Sequence, residues 1–263
     1  MDLQLDKKIA LITGSTAGIG YAIACALARE GATVIVNGRT PAAVDEAVAA
    51  MKATFPCDAI GFAGDLSLDA TAQELVLRHP AVDILVNNLG IFEVKPFEEI
   101  SDADWRRFFD VNVLSGARLA RLYLPAMRRR NWGRIIFISS ESGYHIPAEM
   151  IHYGMTKAAQ IAVARGLAET TAGTAITVNS VLPGPTRSRG VGAFVAEMAA
   201  RSGRSSQSVE DEFFKTARPT SLLRRFATPE EVAAMVAYVA SPLASATNGA
   251  ALRVDGGTIK SAF

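Results

Sequence analysis

One pattern limits what this chain can fold into: short β-branched or aliphatic runs alternate with Ala-rich stretches of helical spacing from end to end. Such alternation implies βαβ units, and hence a parallel sheet with helices on both faces. Strand runs fall at residues 9–12, 33–37, 59–63, 84–86, 134–139, 175–181 and 251–254. Helical stretches fill the gaps at 19–30, 42–53, 69–78, 102–130, 151–170 and 229–240. The expected fold is α/β, a doubly wound seven-stranded parallel sheet with right-handed crossovers. Nothing resembling a linker divides the sequence, so residues 1–263 are expected to form a single domain. The rhythm breaks once, at 187–226, a polar stretch without a strand run where a compact domain would carry a short loop. An insertion of that length suggests a lid over a site.

Composition narrows the function. With 263 residues, 49% of them apolar, the chain can bury a sizeable core. Its 27 basic and 26 acidic side chains leave a net charge of +1, without the basic excess of a nucleic-acid binder. The longest apolar run, 232–240, has nine residues, against the roughly 20 needed to span a bilayer. The first eight residues carry two acids and no long apolar stretch, unlike a secretory signal. A cytoplasmic protein with no nucleic-acid or membrane partner is therefore expected. Two cysteines, Cys25 and Cys57, are too few for a disulfide framework, and His79, His145 and His152 lack metal-ligand spacing, so no metal is expected.

The first strand runs straight into Thr13-Gly14-Ser15-Thr16-Ala17-Gly18-Ile19-Gly20 and then into a helix. Glycines permit a tight turn and close backbone approach, while the helix amino terminus offers N–H groups to a pyrophosphate. The spacing is GxxxGxG rather than GxGxxG, but its place in the first βα unit points to dinucleotide binding on a Rossmann-like sheet. Further on, Tyr153 and Lys157 stand four residues apart on one helix face, so an ammonium can lie beside a phenol. Positive charge favours phenolate, and a nearby cation together with an oxidised nicotinamide can bring the pKa down from about 10 toward neutrality, where the phenol serves as acid or base. Ser140 lies thirteen residues before Tyr153, at the carboxyl end of a strand where ligands bind in such sheets; Ser139 is the alternative. The second strand ends in Val36-Asn37-Gly38-Arg39. It lacks the acid that would bond a free ribose 2′-hydroxyl, and Arg39 offers a planar fork to a phosphate. NADP(H) is thereby favoured, with NAD(H) possible.

With these motifs in order, the chain resembles the compact short-chain dehydrogenases/reductases over nearly its whole length. The resemblance implies a catalytic set of Asn112, Ser140, Tyr153 and Lys157. It gives Asn112 a relay water to hold; the alternative is an amide bonding its own helix backbone. It also implies cofactor contacts from Gly14, Ser15, Thr16, Gly18, Ile19, Gly20 and Arg39, and from Asp65 and Leu66 after the third strand. Asn88 and Gly90 after the fourth strand, Tyr153, Lys157, Pro183, Gly184, Thr186 and Ser188 complete that set. Two positions depart from the family pattern. Leu89 stands where alanine is usual, and Ser188 where threonine is common, so Thr186 or Ser188 holds the nicotinamide carboxamide, with Thr186 preferred.

The reaction implied is the interconversion of a ketone and a secondary alcohol, with a pocket formed by Ser140, Glu141, His145 and Tyr153. Likeness to 3-oxoacyl-carrier-protein reductases makes a 3-oxoacyl thioester, on a carrier protein or CoA, the leading specific substrate. Arg128-Arg129-Arg130 would meet an acidic carrier, or else balances a helix dipole. Small carbonyls, sugars and steroids are the alternatives. A catalytically silent nicotinamide-binding regulator is the reading from another class, opposed by the complete catalytic set. Relatives are commonly homo-oligomers, so a tetramer or dimer is implied. Residues 187–225 hold eight basic side chains and four acids, a net +4. That excess suggests a lid whose positive field draws anionic substrates, unless its arginines pair with neighbouring acids.

Overall fold

The structure, a computed structural model, describes residues 1–262, apart from the side chains at 189, 190, 193–195, 197 and 202. Arg189 and Glu197, two of the charges counted in the insertion, thus lie outside the described side chains.

Strands β1 (Ile9–Ile12), β2 (Thr33–Gly38), β3 (Ala59–Ala63), β4 (Ile84–Asn87), β5 (Gly133–Ile138), β6 (Ile176–Pro183) and β7 (Ala251–Val254) form one sheet. Their order is β3-β2-β1-β4-β5-β6-β7, and every pairing is parallel. The aliphatic runs are continuous because both faces are covered. Ala10 and Ile12, Val34 and Val36, and Ile84 and Val86 enter the core beneath helices α1 (Gly18–Arg29), α2 (Pro41–Thr54) and α9 (Pro229–Ala240). Leu11, Ile35, Leu85 and Phe137 enter the opposite core beneath α3 (Asp69–Arg78), α5 (Ser115–Arg130) and α6 (Ile151–Glu169). Each of the larger aliphatic and aromatic side chains contributes about 1.5–3 kcal/mol on burial, so the period-two alternation fixes the register of the sheet against both helix layers. The strand order reverses between β1 and β4, which opens a crevice at the carboxyl ends of those strands.

Helix entries are set locally. Thr40 caps α2 ahead of Pro41, and capping boxes start both α4 (Asp102–Phe109), through Ser101 and Asp104, and α9, through Thr228 and Glu231. At α1 the N-cap is Ala17, with no side-chain cap and no acid in the first turn. Its first N–H groups therefore face the crevice at the switch point.

The structure departs from the expected elements in two places. The single helix expected over 102–130 is split by a π-turn at Asp110–Leu114 between α4 and α5. A π-turn adds one residue to the helical ladder and leaves carbonyls free for other donors. The insertion contains two helices, α7 (Arg189–Ser202) and α8 (Ser206–Thr216), with a cluster of their own in which Val209, Phe213, Phe214 and Phe226 meet. Its base is closed by a parallel bridge between Thr186 and Ala227. Among the described residues no helix is long and apolar enough to cross a membrane.

Candidate active site

The glycine turn is held open from behind by polar side chains. The Asn37 side chain accepts from the Gly14 amide (3.1 Å) and donates to the carbonyls of Phe62 and Gly64 (both 3.1 Å), tying the turn to β3. Ser15 is fully buried, and its hydroxyl donates to the Ile12 carbonyl and accepts from the Asn37 amide. It braces the turn from within the protein rather than facing the crevice. Thr13 accepts from the amides of Asn88 and Leu89 (2.9 and 2.8 Å), and Asn88 returns two bonds to the carbonyls of Thr13 and Gly14. Gly14 and Gly18 adopt φ of +61° and +57°, which side chains disfavour. A Cβ on Gly20 would lie 2.5 Å from the Asn88 side chain. What remains is a cleft of about 230 Å³, lined by Ala17, Gly18, Ile19, Gly20, Asn88, Gly90 and Ser188. Uncapped helix amides, a glycine-rich turn and a cleft in front of them fit a dinucleotide pyrophosphate.

Other residues expected at a cofactor sort themselves by direction. Arg39 is exposed just past the end of β2, and no described residue pairs with it. Asp65 accepts from the Ser67 amide and hydroxyl, shaping the turn before α3. Leu66 is 1% exposed and its side chain belongs to the core, so only its backbone can face a ligand. Pro183 ends β6, and a Cβ on Gly184 would come within 2.7 Å of the Asp255 carbonyl, so glycine lets the chain pass β7. The Thr186 hydroxyl donates to the Gly184 carbonyl (2.9 Å), whereas Ser188 caps α7 and lies against Gly18 across the cleft.

On the other side of the cleft, β5 runs into Ser139 and Ser140. The Ser139 hydroxyl turns inward to the Lys157 carbonyl (2.8 Å). The Ser140 hydroxyl accepts from the Ser142 amide (3.1 Å) and bonds the Tyr153 phenol. The two serines are thereby told apart. Phe92 meets the Tyr153 ring edge-on at 6.4 Å. Burial pushes the phenol up to about 12, against the hydrogen bond from Ser140, which lowers it. Without the nicotinamide, Lys157 alone does not lower it. That ammonium sits 5.5 Å from the ring centroid and donates instead to the Ile138 carbonyl and to Gln160 Oε1, both at 3.0 Å. At 5% exposure Lys157 is itself pushed down to about 7 by desolvation.

Asn112 occupies the π-turn. Its side chain bonds neither its own helix nor an open space: Oδ1 accepts from the Ile91 amide (2.8 Å), and Nδ2 donates to the Ile91 carbonyl (3.0 Å) and Thr156 Oγ1 (2.9 Å). Of the expected pocket residues, His145 is exposed on the rim. Glu141 is 3% exposed, engaged by Arg218 Nε (2.9 Å) and by the Ser142 hydroxyl (2.8 Å). Residues that spacing alone does not flag are Thr13, Asn37, Thr156, Gln160 and Arg218. Thr156 and Gln160 each fall three residues past a member of the Tyr153/Lys157 pair, the one local signal that points to them.

A family model described as enoyl-(acyl carrier protein) reductase matches residues 14–258. An uncharacterized oxidoreductase of Bacillus subtilis, YvaG, is 46% identical over the full length of both chains. The chain belongs to the short-chain dehydrogenase/reductase family. A 3-oxoacyl-[acyl-carrier-protein] reductase of Aquifex aeolicus is 32% identical over 98% of this chain and 99% of its own. The L-sorbose reductase of Gluconobacter frateurii, solved with NADPH and L-sorbose, superposes with a TM-score of 0.93 at 30% identity, covering 99% of this chain and all of its own. As a member of this family the protein is an oxidoreductase that uses a nicotinamide cofactor, NAD or NADP.

Proposed function

We propose that the protein is an NADP(H)-preferring reductase of a ketone on a free small molecule, reversible toward the secondary alcohol. The observation that carries this reading is the convergence of the Ser140 and Tyr153 hydroxyls, with Lys157 of the same helix reaching Gly90 in the wall of the glycine cleft and burial holding the phenol in its acid form. The cofactor supplies the hydride when bound. Tyr153 then donates its proton to the developing alkoxide, and Ser140 donates a hydrogen bond to the same oxygen. Lys157 would hold the nicotinamide ribose from its place beside Gly90, and Thr186 or Ser188 would hold the carboxamide. The uncapped amides of α1 would hold the pyrophosphate.

Arg39 supports the phosphorylated cofactor, because an exposed guanidinium with no partner among the described residues can take a 2′-phosphate. The free substrate is supported by the state of the arginines. Arg128 is bonded to the Thr170 carbonyl (2.8 Å), and Arg130 to the Val82 carbonyl (2.8 Å) and Asp83 (3.3 Å), so two of the three candidate carrier contacts already serve the helix end. Likeness to an enzyme solved with a free sugar points the same way. Within the insertion, Arg187 pairs with Glu210, Arg218 with Glu141 and Arg225 with Glu231. Glu141 and Glu231 lie outside the insertion, so these pairs match two of its four excess positive charges.

The test is reduction of a ketone panel with NADPH and with NADH, including one 3-oxoacyl group presented on CoA and on a carrier protein. A preference for NADPH of about tenfold or more is expected from one charge-assisted phosphate contact, with no gain in kcat/KM from the carrier. Equal use of both cofactors overturns the first part of the reading, and a clear carrier advantage the second.

A further inference from the structure

We propose that Gln160 is a positioning residue whose carboxamide bridges Asn112 and Lys157 where a relay water was expected, and so holds the lysine charged and aimed. The inference rests on the role given to Lys157 above. The π-turn leaves the Asn112 carbonyl free, and Gln160 Nε2 donates to it at 2.6 Å. From the other end of the same amide, Oε1 accepts from Lys157 Nζ at 3.0 Å. Gln160 is 1% exposed. The Asn112 side chain is engaged with Ile91 and Thr156, so the amide of Gln160 is what links the π-turn to the lysine.

The geometry has two consequences for Lys157. Two of its three N–H donors are fixed, to Gln160 and to the Ile138 carbonyl of β5, and Gly90 lies beside Nζ at the cleft. The third donor is therefore directed by the other two. An acceptor also stabilises the ammonium against desolvation, which pushes this group down. The surrounding groups add little opposing charge: Ile138, Gly90 and Asn112 are neutral. On α6 itself stands the protonated Tyr153, and next to that phenol Glu141, after β5, is paired with Arg218 of the insertion.

The experiment compares ketone reduction across pH, and NADPH binding by titration, in the wild type, Gln160→Met, Gln160→Ala and Lys157→Ala. Methionine keeps the shape of the side chain and removes both hydrogen bonds. Alanine leaves room for a water, which would have the Asn112 carbonyl and Lys157 Nζ as partners. The proposal predicts that Gln160→Met loses about tenfold or more in kcat/KM. Its high-pH limb should also move to lower pH, because the unsupported ammonium is lost sooner. Gln160→Ala should lose only about threefold, its limb staying in place. If Gln160 merely fills space, the order reverses, with methionine tolerated and alanine costly. That order, or an unmoved limb in folded Gln160→Met, overturns the proposal. Full activity in Lys157→Ala would instead overturn the underlying reading of the lysine, so the two failures are distinguishable.

Discussion

Lys157 and Tyr153 are neighbours on one helix face, and burial acts on them in opposite senses, pushing the ammonium down to about 7 and the phenol up to about 12. In the free enzyme the phenol is therefore a competent donor over the whole neutral range, and the charge on Lys157 is the quantity that titrates. We expect kcat/KM for ketone reduction to hold below about pH 7 and decline above it; a profile flat to pH 9 would contradict the assignment. The same shift has a stability consequence. Between about 7 and the ordinary lysine pKa near 10.5, the unfolded chain binds a proton that the native Lys157 does not, so stability rises with pH across that window. The Tm of the wild type should climb from pH 7 to about 9.5, and Lys157→Met should remove that climb. Arg39→Ala should weaken NADPH binding about tenfold or more and leave NADH binding unchanged, since a charge-assisted contact contributes roughly 1.5–3 kcal/mol. The residues that spacing makes legible are those whose partners lie within one helix turn, as Tyr153 and Lys157 do. Thr13 serves Asn88 across 75 residues, which leaves no local trace, and Gln160 serves Asn112 across 48, so only its half toward Lys157, three residues away, shows in the spacing.

Among the elements, the strands and the amphipathic helices follow from the alternation of the sequence, because burial on two faces writes the pattern directly. The π-turn does not. Its residues Asp110–Leu114 hold no glycine or proline to mark a break, and what accompanies the opened ladder is a set of tertiary bonds from the Asn112 side chain and carbonyl to Ile91, Thr156 and Gln160. The insertion was legible as an interruption but not as a helical pair, since its apolar cluster is completed by Phe226 near the far end of the segment. It is joined to the catalytic loop by the buried pair Arg218–Glu141, formed across 77 residues. Removing one partner leaves a buried charge uncompensated, so Arg218→Met should destabilise the protein by about 3–5 kcal/mol, read as a fall in the denaturation midpoint. Arg106→Gln, which breaks the exposed Arg106–Asp102 pair on α4, should leave the midpoint unmoved. Equal effects from the two substitutions would contradict the structural role given to the buried pair.

For the molecule as a whole, the strand order decides where chemistry happens. The reversal between β1 and β4 opens the crevice, the uncapped α1 borders it, and β5 and α6 bring Ser140 and Tyr153 together, with Lys157 reaching Gly90 in its wall. The insertion rises from the Thr186–Ala227 bridge beside this cleft, and we propose that it closes over bound substrate. Hydrogen exchange should then show residues 206–226 protected in the complex with NADPH and a ketone; unchanged exchange would leave the segment as surface. The central claim, that Tyr153 gives its proton to the substrate oxygen, is tested most directly by Tyr153→Phe, with NADPH binding and single-turnover reduction measured on the same preparation. The account predicts cofactor affinity within a few-fold of the wild type and a rate lowered by at least the ~10²-fold that follows from losing a general acid. Near-normal reduction by that variant would contradict it.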